Sequence, residues 1–352
     1  MDAPVSFGRM PMLAASVVNG GPEILMTGLF GRAHFQIGWF EDVDAVLDLS
    51  AARRLGVDVF RRPIWGGGTA FYDTNASALL AFFIRDDRFA SLDDALAAFR
   101  PAMERALADI GLGECAFEGS SDIRWKGRKL GTVISQSVLG CKVVGGFLNL
   151  RKPDMGLYEQ IAHVPEEKFK DKLVKDMIEY VCTPAEVRGG DLAYGEFHDA
   201  VARAASAVVS LERSPFTDEE EQGTKSFVEG VSGEEHVRRI SSVRFRALAP
   251  PGTRVGFANV KAKKLVRAGV ALDGEGVVAR AMLAGDMHIS PPDVMDRAAL
   301  ALEGSRASDR DEVRARLASV VEGPEVTQPD LTAGITANDL ARAVAEAASG
   351  AS

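Results

Sequence analysis

Arg61-Arg62-Pro63-Ile64-Trp65-Gly66-Gly67-Gly68-Thr69-Ala70-Phe71-Tyr72-Asp73 is the stretch on which the reading of this chain turns. Three consecutive glycines let the backbone pass close to a ligand and adopt conformations that a Cβ forbids. Arg61 and Arg62 offer planar, permanently charged forks suited to carboxylate or phosphate oxygens. Val57–Phe60 and Thr69–Tyr72 on either side are apolar or aromatic, so the glycines are expected to join two strands, not a strand and a helix. No Gly-Lys-Ser/Thr follows and no Gly-x-Gly-x-x-Gly is present, which makes the P-loop and the Rossmann fingerprint poor fits. From this stretch alone, a glycine hinge in a sheet with surface arginines serves equally well.

The rest of the chain sets the bounds. Its 352 residues favour two domains, and 46% hydrophobic content supplies a packed core. A formal net charge of −9 argues against a nucleic-acid-binding chain. Cys115, Cys141 and Cys182 lack tight spacing and read as reduced thiols. His34, His163, His198, His236 and His288 include no pair at metal-ligand spacing, so a protein-held transition metal is not expected. No apolar run reaches membrane-spanning length and no targeting pattern opens the chain, so a cytoplasmic, soluble protein is expected.

Patterning predicts a short helix over Met10–Val18, strands in Glu23–Trp39, a helix over Val46–Arg54, and a buried strand Ala78–Ile84. Ser91-Leu-Asp-Asp opens a helix that runs to about Ile110, with Leu96, Phe99, Met103 and Leu107 on one stripe. Asp122–Trp125 and Lys129–Ser135 read as a hairpin turned by Lys126-Gly127-Arg128, and Val143–Leu150 as a further strand. Pro165–Tyr180 and Gly195–Val209 are expected to be helical. The expected domains are 1–213, a linker 214–241 and a smaller domain 242–352. The smaller domain is read as a hairpin, Leu265–Leu272 with Val277–Leu283, and three helices. Lys261, Lys263, Lys264 and Arg267 form the densest basic cluster.

Glu118–Lys129 carries the second chemical signal. A lysine just after a tight turn can hold a carboxylate and then a phosphate in one place. That suits acyl-adenylate chemistry, in which a carboxylate attacks the α-phosphate of ATP and pyrophosphate leaves, because a fixed positive charge offsets the charge building on the phosphorus oxygens. A solvated hairpin turn is the plainer alternative.

Here the residues resemble a family, the lipoate–protein ligases within the wider biotin/lipoate ligase and octanoyltransferase group. The glycine stretch is similar to their Arg-Arg…Gly-Gly-Gly-Ala-Val-Tyr-His-Asp signature. Asp122-Ile123…Gly127-Arg128-Lys129 resembles their Asn-Asp-Leu…Gly-Arg-Lys segment. Ile37-Gly38…Asp48-Leu49 matches the lead-in, Val164-Pro165-Glu166-Glu167-Lys168 the segment after the last core strand, and Gly285-Asp286-Met287…Ser290-Pro291-Pro292 a turn of their accessory C-terminal domain. The departures are local: Trp65 where the family has Ser or Thr, Tyr72 for the usual histidine, Gly145-Gly146 for His-Gly, Thr132 for a glycine, and a first helix that is short or missing before Glu23.

The resemblance implies an α+β fold: a large catalytic domain with a mixed sheet flanked by helices, class II synthetase-like, and a small α+β accessory domain. It implies an ATP-dependent ligase that converts lipoate or octanoate to acyl-AMP and passes it to a lysine of a lipoyl-domain acceptor protein. Lys129 would be catalytic. Arg61, Arg62, Gly66, Gly67, Gly68, Thr69, Phe71, Asp73, Asp122 and Gly146 would bind lipoate and adenylate, with ATP, Mg2+ and lipoic acid as the small molecules. Two alternatives remain: a transferase working through a Cys115 thioester without ATP, and a non-catalytic relative that binds the acyl-carrying protein.

Overall fold

The computed structural model describes residues 3–63, 66–118, 121–163, 177–231, 233–331 and 333–352. The strands among them are β1 (Ile24–Leu29), β2 (His34–Ile37), β3 (Asp58–Arg61), β4 (Ala70–Tyr72), β5 (Ser77–Ile84), β6 (Ala116–Glu118), β7 (Asp122–Trp125), β8 (Arg128–Val138), β9 (Cys141–Asn149), β10 (Arg254–Lys261), β11 (Leu265–Leu272) and β12 (Val278–Gly285). With the helices between them they make the expected α+β fold. Packing divides the chain into two units: Met1–Gln36 with Phe71–Gln160 and Lys172–Ser232, and Ile37–Ala70 with Ile161–Asp171 and Gly233–Ser352. The expected domains ran linearly along the chain, whereas this division groups most of the glycine stretch with the C-terminal part.

The first unit is built on an antiparallel sheet ordered β1-β5-β9-β8-β7-β6. Ser-Ala-Leu-Leu-Ala-Phe-Phe-Ile in β5 is buried at every position, as a strand covered on both faces must be. The helix Leu92–Asp109 begins where expected, with the Ser91 hydroxyl accepting the Asp94 N–H at 3.0 Å. Its Leu96, Phe99, Met103 and Leu107 stripe packs with Phe197 and Val201 of the helix Tyr194–Ala205 over Leu80, Val144 and Leu148 of the sheet. Gly146 in β9 sits so close to β8 that a Cβ would lie 1.9 Å from the Thr132 carbonyl oxygen.

Two readings of this unit change. The first helix is neither short nor missing: it spans Ala3–Val18. Asp218–Val231, inside the stretch expected to be a linker, is a helix packed along it, with Arg9 paired to Glu221 at 2.7 Å. The Thr217 hydroxyl accepts the Glu220 N–H while the Glu220 carboxylate accepts the Thr217 N–H, and the acidic first turn complements the helix dipole.

In the second unit β10-β11-β12 form an antiparallel sheet, so the expected hairpin has a third strand. The helices Val294–Leu302, Arg310–Val321 and Ala337–Ser349 share with it a core that includes Val266, Val270, Leu283, Leu317 and Val344, and also Phe40 from far upstream. The helix expected over Val46–Arg54 is two short ones, Val43–Val46 and Leu49–Arg54. They are split because Asp48 leaves the helix to accept the Ser50 and Ala51 N–H groups at 2.9 Å. Arg267 leaves the expected basic cluster: it is buried and donates to Glu41 at 3.4 Å and Asn259 at 2.6 Å. Of the helix expected over Pro165–Tyr180, only Met177–Tyr180 falls within the described residues, and it is helical.

Candidate active site

The β7–β8 hairpin turns at Lys126 and Gly127, both with positive φ, the geometry that matches the twist of paired strands. This turn delivers Lys129, whose carbonyl is fixed by the Cys182 N–H at 2.9 Å. The Lys129 ammonium donates to Asp122 Oδ1 at 2.8 Å, and Arg124 and the Tyr180 hydroxyl donate to Oδ2 at 2.7 and 3.1 Å. Burial pushes the Asp122 carboxyl upward, but Lys129 and Arg124 outweigh it and hold the group well below the usual carboxylate range. The Tyr180 phenol, buried against this carboxylate, is pushed well above its ordinary value. Two cations around one carboxylate leave net positive charge. Among the described residues Asp122 takes one of the three ammonium protons of Lys129, so others can face an incoming anion.

An aromatic wall continues from this cluster. The Lys129 ammonium lies 5.7 Å from the Phe147 ring centre, and Phe147 meets Tyr72 edge-on at 5.1 Å. Tyr72 in turn stacks on His34 at 5.4 Å. Strand alternation sends the neighbouring Phe71 elsewhere, to Phe35 at 4.9 Å and Tyr158 at 6.2 Å. Phe71 was named from the sequence as a binding residue. Tyr72, noted only as a departure, is the one joined through Phe147 to the lysine. Asp73 is committed to turns: its two oxygens accept the Thr74 and Asp154 backbone N–H groups at 2.6 and 3.0 Å.

The arginines lie in the second unit and are not on the surface. Arg61 is wholly buried. Its guanidinium donates to the carbonyls of Gly38, Trp39, Glu41, Val237 and Ile240 at 2.8–3.2 Å. Burial and then Arg239 push it down to about 9, still cationic at neutral pH. With its donors turned to main chain, Arg61 holds loops together; the sequence reading that gave it an acyl or adenylate ligand does not fit this geometry. Arg62 donates to the carbonyls of Gly66 and Gly68, both at 2.7 Å. With those carbonyls turned to the guanidinium, the N–H groups of Gly68 and Thr69 and the buried Thr69 hydroxyl have no partner among the described residues. Successive free donors of this kind suit an anionic oxygen.

Cys115 is buried. Burial, and then the neighbouring Cys182, push its thiol up to about 12. That is the environment of an inert thiol, not of an activated nucleophile. Among the described residues no three carboxylate, histidine or cysteine side chains converge as a metal site.

No curated protein matches the chain in sequence. The family model of the lipoyl protein ligase A/B catalytic domain matches residues 9–206, more than half of the chain. Among solved structures, the chain is similar to LipL1 of P. falciparum in complex with lipoate. The TM-score is 0.64 at 10% identity, over 90% of this chain and 91% of that one. It is also similar to a lipoate-protein ligase A bound with ATP, with a TM-score of 0.57 at 17% identity over 68% and 95% of the two chains. A third is the bipartite lipoate protein ligase of Thermoplasma acidophilum, described with its E2 lipoyl domain: 0.56 at 19% identity, over 68% and 94%. At these identities each likeness is one of fold; the family match rests on the sequence. The chain belongs to the lipoyl protein ligase A/B catalytic domain family.

Proposed function

We propose that this protein is an ATP-dependent lipoate–protein ligase that activates lipoate or octanoate as acyl-AMP and acylates a lysine of a lipoyl-domain acceptor. The observation that carries the reading is Lys129, held by Asp122 on an anchored hairpin beside the Phe147–Tyr72 wall. A carboxylate oxygen of the acid attacks the α-phosphorus of ATP, and pyrophosphate leaves with the electron pair of the broken P–O bond. The acceptor amine then attacks the carbonyl of the mixed anhydride. An amide forms, the C–O bond to AMP breaks, and one proton is released. Lys129 draws the carboxylate in and offsets charge on the carbonyl and phosphoryl oxygens in both steps. Asp122 keeps the ammonium placed, and Arg124 keeps the cluster cationic. In the second unit, the free donors of Gly68 and Thr69 suit nucleotide or acyl oxygens.

ATP, lipoate and a lipoyl domain accompany three proteins of similar fold, which agrees with this reading. Mg2+ would enter on the nucleotide phosphates. No described helix is long and apolar enough to cross a membrane, and the cytoplasm is the proposed setting. The test is ATP–pyrophosphate exchange with lipoate, octanoate and biotin offered separately. Exchange that requires lipoate or octanoate supports the ligase. Acyl transfer without ATP, through a trapped thioester on the chain, would replace it with the transferase.

A further inference from the structure

The Gly66–Thr69 loop is gripped from two sides within the second unit. On one side the Arg62 guanidinium holds the Gly66 and Gly68 carbonyls. On the other stands the turn that follows β12. Asp286 pins this turn to the start of β11, its backbone N–H donating to the Leu265 carbonyl at 3.0 Å while its carboxylate accepts the Leu265 N–H. Met287 then presents its carbonyl to the Gly67 N–H at 2.9 Å. The fit is close enough that a Cβ on Gly66 would lie 2.2 Å from the Met287 oxygen. A Cβ on Gly67, whose φ is +81°, would lie 2.7 Å from His288 Nε2. His288 is itself buried, and burial, Lys264 and Arg62 keep its imidazole neutral beside that guanidinium.

We propose that the Asp286–His288 turn is the positioning element of the glycine loop, with His288 the residue that fixes which way the Gly68 and Thr69 donors face. The carbonyls and N–H groups of a peptide point in opposite directions. A turn that fixes Gly67 therefore sets the direction of the next two donors, and the Gly66 and Gly68 carbonyls stay on Arg62. His288 acts through the loop and touches no substrate. The catalytic consequence rests on the acyl-adenylate reading; the structural consequence does not.

Hydrogen exchange on the full-length chain tests the structural claim without needing activity. In His288→Ala the peptide covering Gly66–Tyr72 is expected to exchange at least about tenfold faster, while peptides covering β8 and β9 change less than about twofold. In pyrophosphate exchange the same variant is expected to raise KM for ATP about tenfold, with kcat falling less. A merely structural role would lower active enzyme without moving KM. Gly67→Ala supplies a second test. Its damage should be smaller in the His288→Ala background, where the ring no longer meets the new methyl group. If His288→Ala does not fold, His288→Gln stands in its place with the same expectations. Exchange at Gly66–Tyr72 within twofold of wild type, or strictly additive effects of the two substitutions, overturns the proposal. A wild-type chain that makes no adenylate would sink the functional reading yet leave the exchange result to decide this one.

Discussion

Replacing Arg61 separates a structural guanidinium from a ligand-binding one. Arg61→Ala strands five buried carbonyl groups, those of Gly38, Trp39, Glu41, Val237 and Ile240. Hydrogen bonds to a charged group contribute about 1.5–3 kcal/mol each, but they are not additive, and water entering the vacated space satisfies some of the acceptors. Relief of the cost of burying the guanidinium offsets a further part. A net loss of about 3–5 kcal/mol remains, near the upper end for a single substitution. Arg61→Lys keeps the charge but has three donors on a point-like head, and should lose about 2 kcal/mol. Urea denaturation followed by circular dichroism reads both values, and acyl transfer should fall only in proportion to the folded fraction. An Arg61→Ala protein with stability within about 1 kcal/mol of wild type but no acyl transfer would refute the reasoning and return Arg61 to the ligand.

Lys129→Ala should lower lipoate-dependent pyrophosphate exchange by at least about a hundredfold. It should cost no more than about 1 kcal/mol of stability, because Asp122 keeps Arg124 and Tyr180. The Asp122 carboxyl is held low in the fold, so its stabilisation is fully present above its unfolded pKa of about 4 and is lost only as pH falls through the folded value. The urea midpoint difference between wild type and Asp122→Asn should therefore stay constant from about pH 5 upward, and a difference that fades between pH 7 and 5 would contradict the pairing. Gly146→Ala should cost at least about 3 kcal/mol, seen as a lowered melting temperature, since its methyl group would overlap the Thr132 carbonyl. Cys115→Ser should leave acyl transfer within about twofold, and the wild-type thiol, pushed up to about 12, should resist alkylation at pH 8.

Much of the first unit was legible because local signals and tertiary packing agree there. The Ser91 cap, the apolar stripe behind it, the Lys126-Gly127 turn and the unbroken apolar run of β5 each name their element without help. β10 was missed because Gly256 breaks its alternation just after Pro250-Pro251-Gly252. The glycine is there because a Cβ would lie 2.0 Å from the Ala347 carbonyl, a constraint set nearly a hundred residues away. Arg61 and Arg267 were misjudged for a related reason. A charged side chain reads as exposed until its partners are known, and the farthest of theirs lie 176–179 residues downstream for Arg61 and 226 upstream for Arg267. The Lys129–Asp122 pairing is local by contrast: its two members sit seven residues apart on one hairpin.

The second unit is discontinuous in the chain, and this has a consequence during synthesis. Ile37–Ala70 emerges about 160 residues before Gly233–Ser352 begins to appear, a delay of about 10–30 s at ordinary elongation rates. Throughout that interval Phe40 lacks the core it is destined for, and Arg61 lacks the Val237 and Ile240 carbonyls that hold it. The nascent protein therefore carries an incompletely packed segment in its N-terminal fifth for that interval. Ribosome-bound chains halted near residue 230 should bind a chaperone through Ile37–Ala70 and release it once the C-terminal helix is complete.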